Sequence, residues 1–252
     1  MEFASLGSGS KGNATLVRAG QTLVMVDCGF SLRETVRRLN SLAIDPDELD
    51  AILVTHEHTD HSRGVAALSR KFQIPVYMTH GTARTGRCDG GHEVIHFNCD
   101  DSFSIGDLWV ETVAVPHDAA EPCQYRLTHQ DRSLGILTDL GSLTPHVVDS
   151  FRGCDSLLLE FNHDVQMLEE GPYPYALKRR VGGDWGHLNN EQAATLLRQL
   201  DGQSLQQVVV AHISEQNNSR ARAEAALLTA LDSLDAVVFA EQSRGFDWLK
   251  LV

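Results

Sequence analysis

Apolar and polar positions along the 252-residue chain alternate between two rhythms. Short apolar runs, three to seven residues long and rich in valine, leucine and isoleucine, read as buried strands. Such runs occupy residues 21–26, 51–54, 75–78, 93–97, 124–128, 133–137, 157–159, 207–211, 236–240 and 246–252. An alternating stretch at 14–18 and a strand pair over 101–115, turning near Gly106-Asp107, extend the series. Between these runs, apolar residues recur at helical spacing. Ser31 caps a helix to about residue 40, with Leu32, Val36 and Leu39 on one face. A helix over 62–72 presents Val65, Leu68 and Phe72, and further helices are expected at 143–151, 190–200 and 221–234. Strands cluster in the N-terminal half and return in the C-terminal half, with helices between. No linker, repeat or low-complexity tract interrupts them, so residues 1–252 are expected to form one α/β domain, two sheets face to face with helices outside.

Composition narrows the class. Hydrophobic residues make up 42% and charged residues 22%, the profile of an ordinary globular protein. No apolar run approaches 18 residues, so no membrane partner is expected. The first residues, Met1-Glu2-Phe3-Ala4-Ser5, carry no basic region or long apolar segment, and the five cysteines are an odd number; both point to a reducing cytoplasm. The net charge of −13 argues against non-specific nucleic-acid binding over a broad basic face. It leaves room for a nuclease in which bound metals and a local basic strip attract phosphate. Lys178-Arg179-Arg180, in a Gly/Pro/aromatic stretch over 171–186, is the densest positive run and reads as a solvated helix face or a phosphate-facing one.

The chemistry concentrates where apolar runs end. The run 51–54 leads into Thr55-His56-Glu57-His58-Thr59-Asp60-His61, three imidazoles and an aspartate within six residues. Crowded together without a cation, such groups are costly to bury, so the cluster reads as a metal-ligand motif. His56 and His58 can turn toward one point, Asp60 and His61 toward a second nearby. His117 also follows a strand and is the natural third ligand at the first point; Asp139, after 133–137, can bridge two cations or cap the next helix. His212 ends the run 207–211 and Glu160 the run 157–159. Asp27 could orient a ligating histidine or serve as a turn carboxylate. Cys88, His92, His96 and Cys99 are too irregularly spaced for a structural zinc site; a loop and the strand 93–97 fit better. Gly7-Ser8-Gly9-Ser10-Lys11-Gly12 matches G-x-G-x-x-G, but a strand follows it rather than a helix, so a dinucleotide site is excluded; a hairpin or a phosphate-contacting loop remains.

Together these residues resemble the metallo-β-lactamase fold superfamily, over nearly the whole chain. The resemblance implies an αββα four-layer sandwich holding two divalent metal ions, zinc or manganese. One ion would lie on His56, His58 and His117 and the other on Asp60, His61 and His212, with Asp139 bridging. Finer motifs are similar to the WalJ/YycJ branch: Gly7-Ser8-Gly9-Ser10-Lys11-Gly12-Asn13, Val26-Asp27-Cys28-Gly29, His117-Asp118-Ala119-Ala120-Glu121-Pro122, Thr138-Asp139-Leu140-Gly141, Glu160-Phe161-Asn162-His163-Asp164, Gly186-His187-Leu188-Asn189-Asn190 and His212-Ile213-Ser214-Glu215-Gln216-Asn217-Asn218. Lys11 and Asn189 stand where that branch has serine. The branch implies a DNA 5′→3′ exonuclease whose nucleophile is a metal-bridging hydroxide. Asp60 would take its proton, His187 would protonate the leaving oxygen and Glu160 would hold the His187 ring; the plainer reading of His187 is a residue at a helix cap. Ser10, Lys11, Asn13, Asn162, His163 and Asn218 would contact substrate, DNA in preference to RNA. A small-molecule (cyclic) phosphodiesterase would share every ligand and suit the acidic surface. A metal-stabilised binding module without turnover is the third reading. Secreted β-lactamases usually lack the bridging aspartate, thioesterase relatives carry a C-terminal helical region where this chain returns to strands, and RNA-processing relatives with a large inserted domain exceed this length.

Overall fold

The computed structural model describes residues 1–252, the side chain of residue 203 excepted. Two seven-stranded mixed sheets face each other. The first contains β1 (Glu2–Gly7), β2 (Ala14–Ala19) and β3 (Thr22–Val26) as an antiparallel meander. It continues in parallel through β4 (Ala51–Leu53), β5 (Pro75–Thr79) and β6 (Glu93–Phe97). The second runs antiparallel through β7 (Ser102–Ile105), β8 (Leu108–Ala114), β9 (Cys123–His129) and β10 (Arg132–Leu137), then parallel through β11 (Ser156–Glu160), β12 (Gln207–Ala211) and β13 (Val237–Phe239). The last strand, β14 (Phe246–Lys250), crosses back to pair antiparallel with β1.

Strand alternation sorts side chains between layers. Val24 and Val26 of β3 point into the core between the sheets, together with Tyr125, Leu134 and Ile136 of the second sheet. Leu23 and Met25 point outward, against Leu39 of α1 (Leu32–Ser41) and Leu68 of α3 (Val65–Phe72). On the far side, Leu137, Leu157 and Leu159 meet α5 (Pro145–Phe151), α8 (Asn190–Gln199) and α9 (Arg220–Leu227). Strands covered on both faces explain why the parallel segments read as unbroken apolar runs. The result is the expected αββα four-layer sandwich.

Several elements differ from the periodic reading. The helix expected over 62–72 is two helices, α2 (Thr59–Ser62) and α3, broken at Gly64. There the backbone NH donates to the Cys28 carbonyl at 2.7 Å, and a Cβ would meet the Phe30 carbonyl oxygen at 2.2 Å. The helix expected at 143–151 starts at Pro145, capped by Thr144, and the one expected to run to 234 ends at Leu227. Short helices α4 (His80–Arg84) and α6 (Val165–Glu170) occupy stretches to which the apolar pattern assigned no element, and α7 (Tyr175–Val181) carries the Lys178-Arg179-Arg180 run on a helix.

Candidate metal centre

β4, β8, β10, β11 and β12 deliver their polar C-terminal residues to one edge of the sandwich. After β4 the chain turns through Thr55 to α2, and Asp27, at the end of β3 with φ of 61°, fixes that turn. Its carboxylate accepts from the Thr55 backbone NH and hydroxyl, both at 2.8 Å, and lies 2.7 Å from His61 Nδ1. This leaves His61 Nε2 facing inward, as an orienting partner should. Backbone carbonyls do the same for two further rings: Gly186 for His117 Nδ1 at 2.9 Å, and Thr138 for His212 Nδ1 at 3.0 Å. His212 adopts φ of 48°, its NH donating to Ser8 Oγ at 2.9 Å, an unusual backbone state for a non-glycine residue that ends β12 and turns the ring into the centre.

The rings of His56, His58 and His117 surround one point, with centroids 4.5, 4.8 and 5.0 Å apart. His58 Nδ1 lies 3.3 Å from His117 Nε2. A second point is framed by Asp60 Oδ2, 3.7 Å from both His61 Nε2 and His212 Nε2. Asp139 stands between them. Its Oδ2 lies 3.2 Å from His56 Nε2, 3.0 Å from His61 Nε2 and 3.6 Å from His117 Nε2, while Oδ1 meets His212 Nδ1. All of these side chains except Asp60 and His58 are buried.

Divalent cations fit this arrangement. His56 Nε2 and Asp139 Oδ1 are buried, and the groups beside them, Asp139 Oδ2 and His212 Nδ1, approach without hydrogen-bond geometry, a costly state that a cation relieves. Imidazole nitrogen and carboxylate oxygen are donors for zinc and manganese. Burial, and then repulsion from His61, pushes His56 well below the ordinary histidine range; burial first also lowers His117, so both offer free lone pairs. Burial, the largest influence, would lower His61 and His212 too, but neighbouring carboxylates together outweigh it and raise both well above that range: Asp139 with Asp27 and Asp60 at His61, and Asp139 with Glu160 at His212. Burial likewise opposes ionisation of Asp139, and His212 and His61 overcome it. Cations taking the place of these protons would release them.

Glu160, His187, His212 and Asp139 form a third cluster of donor atoms. Glu160 Oε2 is already committed to the NH groups of Leu140 and Leu188, at 3.2 and 3.1 Å, and Oε1 lies 2.7 Å from His187 Nδ1. The cluster is therefore better suited to hold the His187 ring than to take a further ion. His187 lines a cleft of about 460 Å³ that opens on Asp60, Asp139 and His212.

Of the expected substrate contacts, Ser10 and Asn162 line this cleft. The other four stand elsewhere. Lys11 Nζ pairs with Glu215 at 2.6 Å and faces a neighbouring cleft. Asn13 is buried: its side chain closes the glycine loop on Gly9 NH at 2.8 Å and lies 3.0 Å from His61 Nε2. His163 is buried outside the cleft, pushed down to about 4 by burial first. Asn218 exchanges amide hydrogen bonds with Asn190 at 2.9 and 2.8 Å. Glu57, Arg87 and Tyr173 carried no signal of their own, whereas Arg180 belongs to the basic run read as a solvated or phosphate-facing helix face. Glu57 accepts from Ala120 NH at 2.9 Å, tying the histidine loop to the His117 loop, and Arg87, Tyr173 and Arg180 wall the cleft.

A model of the β-lactamase superfamily domain matches residues 22–213. The chain belongs to the metallo-β-lactamase superfamily. Within this superfamily it is 33% identical over 237 residues to exodeoxyribonuclease YycJ of Bacillus anthracis, covering 92% of this chain and 89% of the relative. Exodeoxyribonuclease WalJ of Streptococcus pneumoniae is 32% identical over 241 residues, covering 93% and 89%. Among solved structures, the metallo-β-lactamase fold protein YhfI from Bacillus subtilis superposes with a TM-score of 0.77 at 16% identity, over 99% of each chain. Human tRNase Z, short form, gives 0.68 at 17% identity over the whole of both chains. The structural likenesses speak for the fold. The two bacterial relatives speak for the branch of the superfamily.

Proposed function

We propose that this metallo-hydrolase cleaves phosphodiester bonds with two bound divalent cations and acts on DNA as a 5′→3′ exonuclease. The observation that carries the reading is Asp139, one of whose oxygens lies within 3.6 Å of imidazoles from both ligand sets. His56, His58 and His117 would hold one cation and Asp60, His61 and His212 the other. When bound, such a pair supplies Lewis acidity that neutralises phosphoryl charge and acidifies a water for attack. DNA is favoured over RNA because relatives matching nearly the whole chain are exodeoxyribonucleases.

The remaining work falls to the chain's own side chains. Asp60, which lines the cleft with its side chain 24% exposed, accepts the proton of the attacking water on its second carboxylate oxygen, Oδ2 being turned toward His61 and His212. His187 donates a proton to the leaving oxygen from Nε2. Burial opposes its protonated form, but the Glu160 carboxylate together with Asp139 outweighs this and raises His187 above the ordinary histidine range, which favours the proton-donating form. Glu160 fixes the ring. Leu177, Val181 and Ile213 give the cleft an apolar wall that limits water around the reacting bond.

The net charge of −13 favours a second reading, a small-molecule phosphodiesterase acting on cyclic phosphates. Purified protein with its metals quantified separates the two when assayed on 5′-phosphorylated single- and double-stranded DNA, RNA, cyclic nucleotides and bis-p-nitrophenyl phosphate. The exonuclease reading predicts shortening of DNA from its 5′ end, with binding that weakens steeply as salt rises. It also predicts that His187→Ala lowers turnover roughly 10²–10⁴-fold with metal content unchanged. Turnover of cyclic nucleotides but not DNA would favour the second reading. No turnover of any substrate by the loaded protein would leave a binding module.

A further inference from the structure

A phosphodiester entering this cleft meets the carboxylates of Asp60 and Asp139, on a chain of net charge −13. Its own charge therefore needs cationic side chains beyond the metals. Two arginines wall the cleft, Arg87 and Arg180. They are held very differently. Arg87 stands on an exposed loop after α4, whereas Arg180 is fixed at three levels.

Its Nε donates to Asp118 Oδ2, and the described residues place no acceptor on its terminal nitrogens. Asp118 in turn lies against the first ligand triad, with Oδ1 3.5 Å from His117 Nε2 and 3.9 Å from His58 Nε2. The guanidinium therefore sits one carboxylate away from that centre. The backbone beneath it is locked to His187. His187 NH donates to the Val181 carbonyl at 2.9 Å, and a Cβ on Gly186 would meet the Arg180 and Val181 carbonyl oxygens at 2.2 Å, so helix end and histidine pack directly on each other. The adjacent cations are directed elsewhere. Lys178 Nζ donates to the Glu169 carbonyl at 2.6 Å, and Arg179 is exposed outside the cleft. The same segment also gives the cleft Tyr173 and Leu177, an aromatic and apolar face against which a nucleobase can stack.

We propose that Arg180 is the phosphate-binding side chain of the cleft, its terminal nitrogens taking a non-bridging oxygen of the phosphodiester while Asp118 acts as the positioning residue through Nε. The proposal rests on the phosphodiesterase reading. A purely structural tether is the weaker explanation. Arg180 is 55% exposed and Asp118 28%, and ion pairs that open to water contribute little to stability. A guanidinium with one edge held and the other free is pre-oriented for an anion in a way that a lysine is not.

The test compares Arg180→Ala, Arg180→Lys and Arg179→Ala in the metal-loaded protein. Arg180→Ala should lower kcat/KM on both DNA and bis-p-nitrophenyl phosphate by about 10²-fold. It should also weaken binding of thymidine 5′-monophosphate about tenfold, measured with and without chelator, while metal content and Tm stay unchanged. Guanidinium chloride added at millimolar concentration should restore part of the lost rate, and should fail to do so when Asp118→Asn is added. Arg180→Lys should recover little, and Arg179→Ala should stay within twofold of the parent. Should Arg180→Ala fail to fold, Arg180→Lys, which keeps the charge, carries the same comparison. An Arg180→Ala enzyme within twofold of the parent would overturn the assignment, as would an equal loss in Arg179→Ala or a loss that comes only with lost metal. If the parent protein hydrolyses neither substrate, the phosphodiesterase reading fails, while nucleotide binding still tests Arg180.

Discussion

Asp27 shows how much a single buried carboxylate decides at this centre. It takes three donors at 2.7–2.8 Å, two from Thr55 and one from His61, so both of its oxygens are used. An asparagine in its place keeps the size but offers only one acceptor oxygen and turns an NH₂ group toward existing donors. Asp27→Asn is therefore expected to leave the His61 ring unheld and to weaken binding of the cation proposed for His61 roughly 10–100-fold. Metal titration with and without a competing chelator reads this directly, and unchanged affinity at both positions would remove Asp27 from the centre. The sequence left this residue between two roles, because nothing in Val26-Asp27-Cys28-Gly29 says which way the side chain turns. The histidine loop was legible because its donors are contiguous. Lys11 and His163 show the opposite situation: both belong to motifs that suggest substrate contact, yet Glu215 draws one away and burial encloses the other.

At the scale of elements, the centre depends on loops stacked backbone to backbone. Asn13 NH donates to the Asp60 carbonyl at 2.8 Å, Cys28 NH to the His61 carbonyl at 2.7 Å, and Gly29 NH to the Asn13 carbonyl at 2.9 Å. Gly29 lies in the middle of this stack, where a Cβ would fall 1.7 Å from the Asp60 carbonyl oxygen. Neither backbone can yield without moving Asp60 and His61. Gly29→Ala should consequently cost about 3 kcal/mol or more in thermal or chemical unfolding and reduce metal loading. A variant that melts and binds metal like the parent would show that the stack is not needed. Strands were legible from their apolar runs, since burial on both faces leaves little room for polar residues. Helix α7 was legible only through its basic run, because it buries none of its residues and so carries no apolar stripe to read. The break at Gly64 was equally hidden, being imposed by the loop at 28–30 rather than by helix propensity.

Across the whole molecule, the two sheets matter for function because they bring residues from distant parts of the chain to one edge. β4 supplies His56 and His58, β8 leads to His117, β10 to Asp139 and β12 to His212, and parallel pairing of β10, β11 and β12 sets the ends of those strands side by side. Among the described residues no helix is long and apolar enough to cross a membrane. The most direct test of the account is metal content together with metal position, by elemental analysis and anomalous diffraction from crystals grown with zinc or manganese. The account predicts two divalent cations per chain, about 3.5–4 Å apart. One should lie on His56, His58 and His117, the other on Asp60, His61 and His212, with Asp139 touching both. A single ion, or a pair with Asp139 turned away, would contradict it.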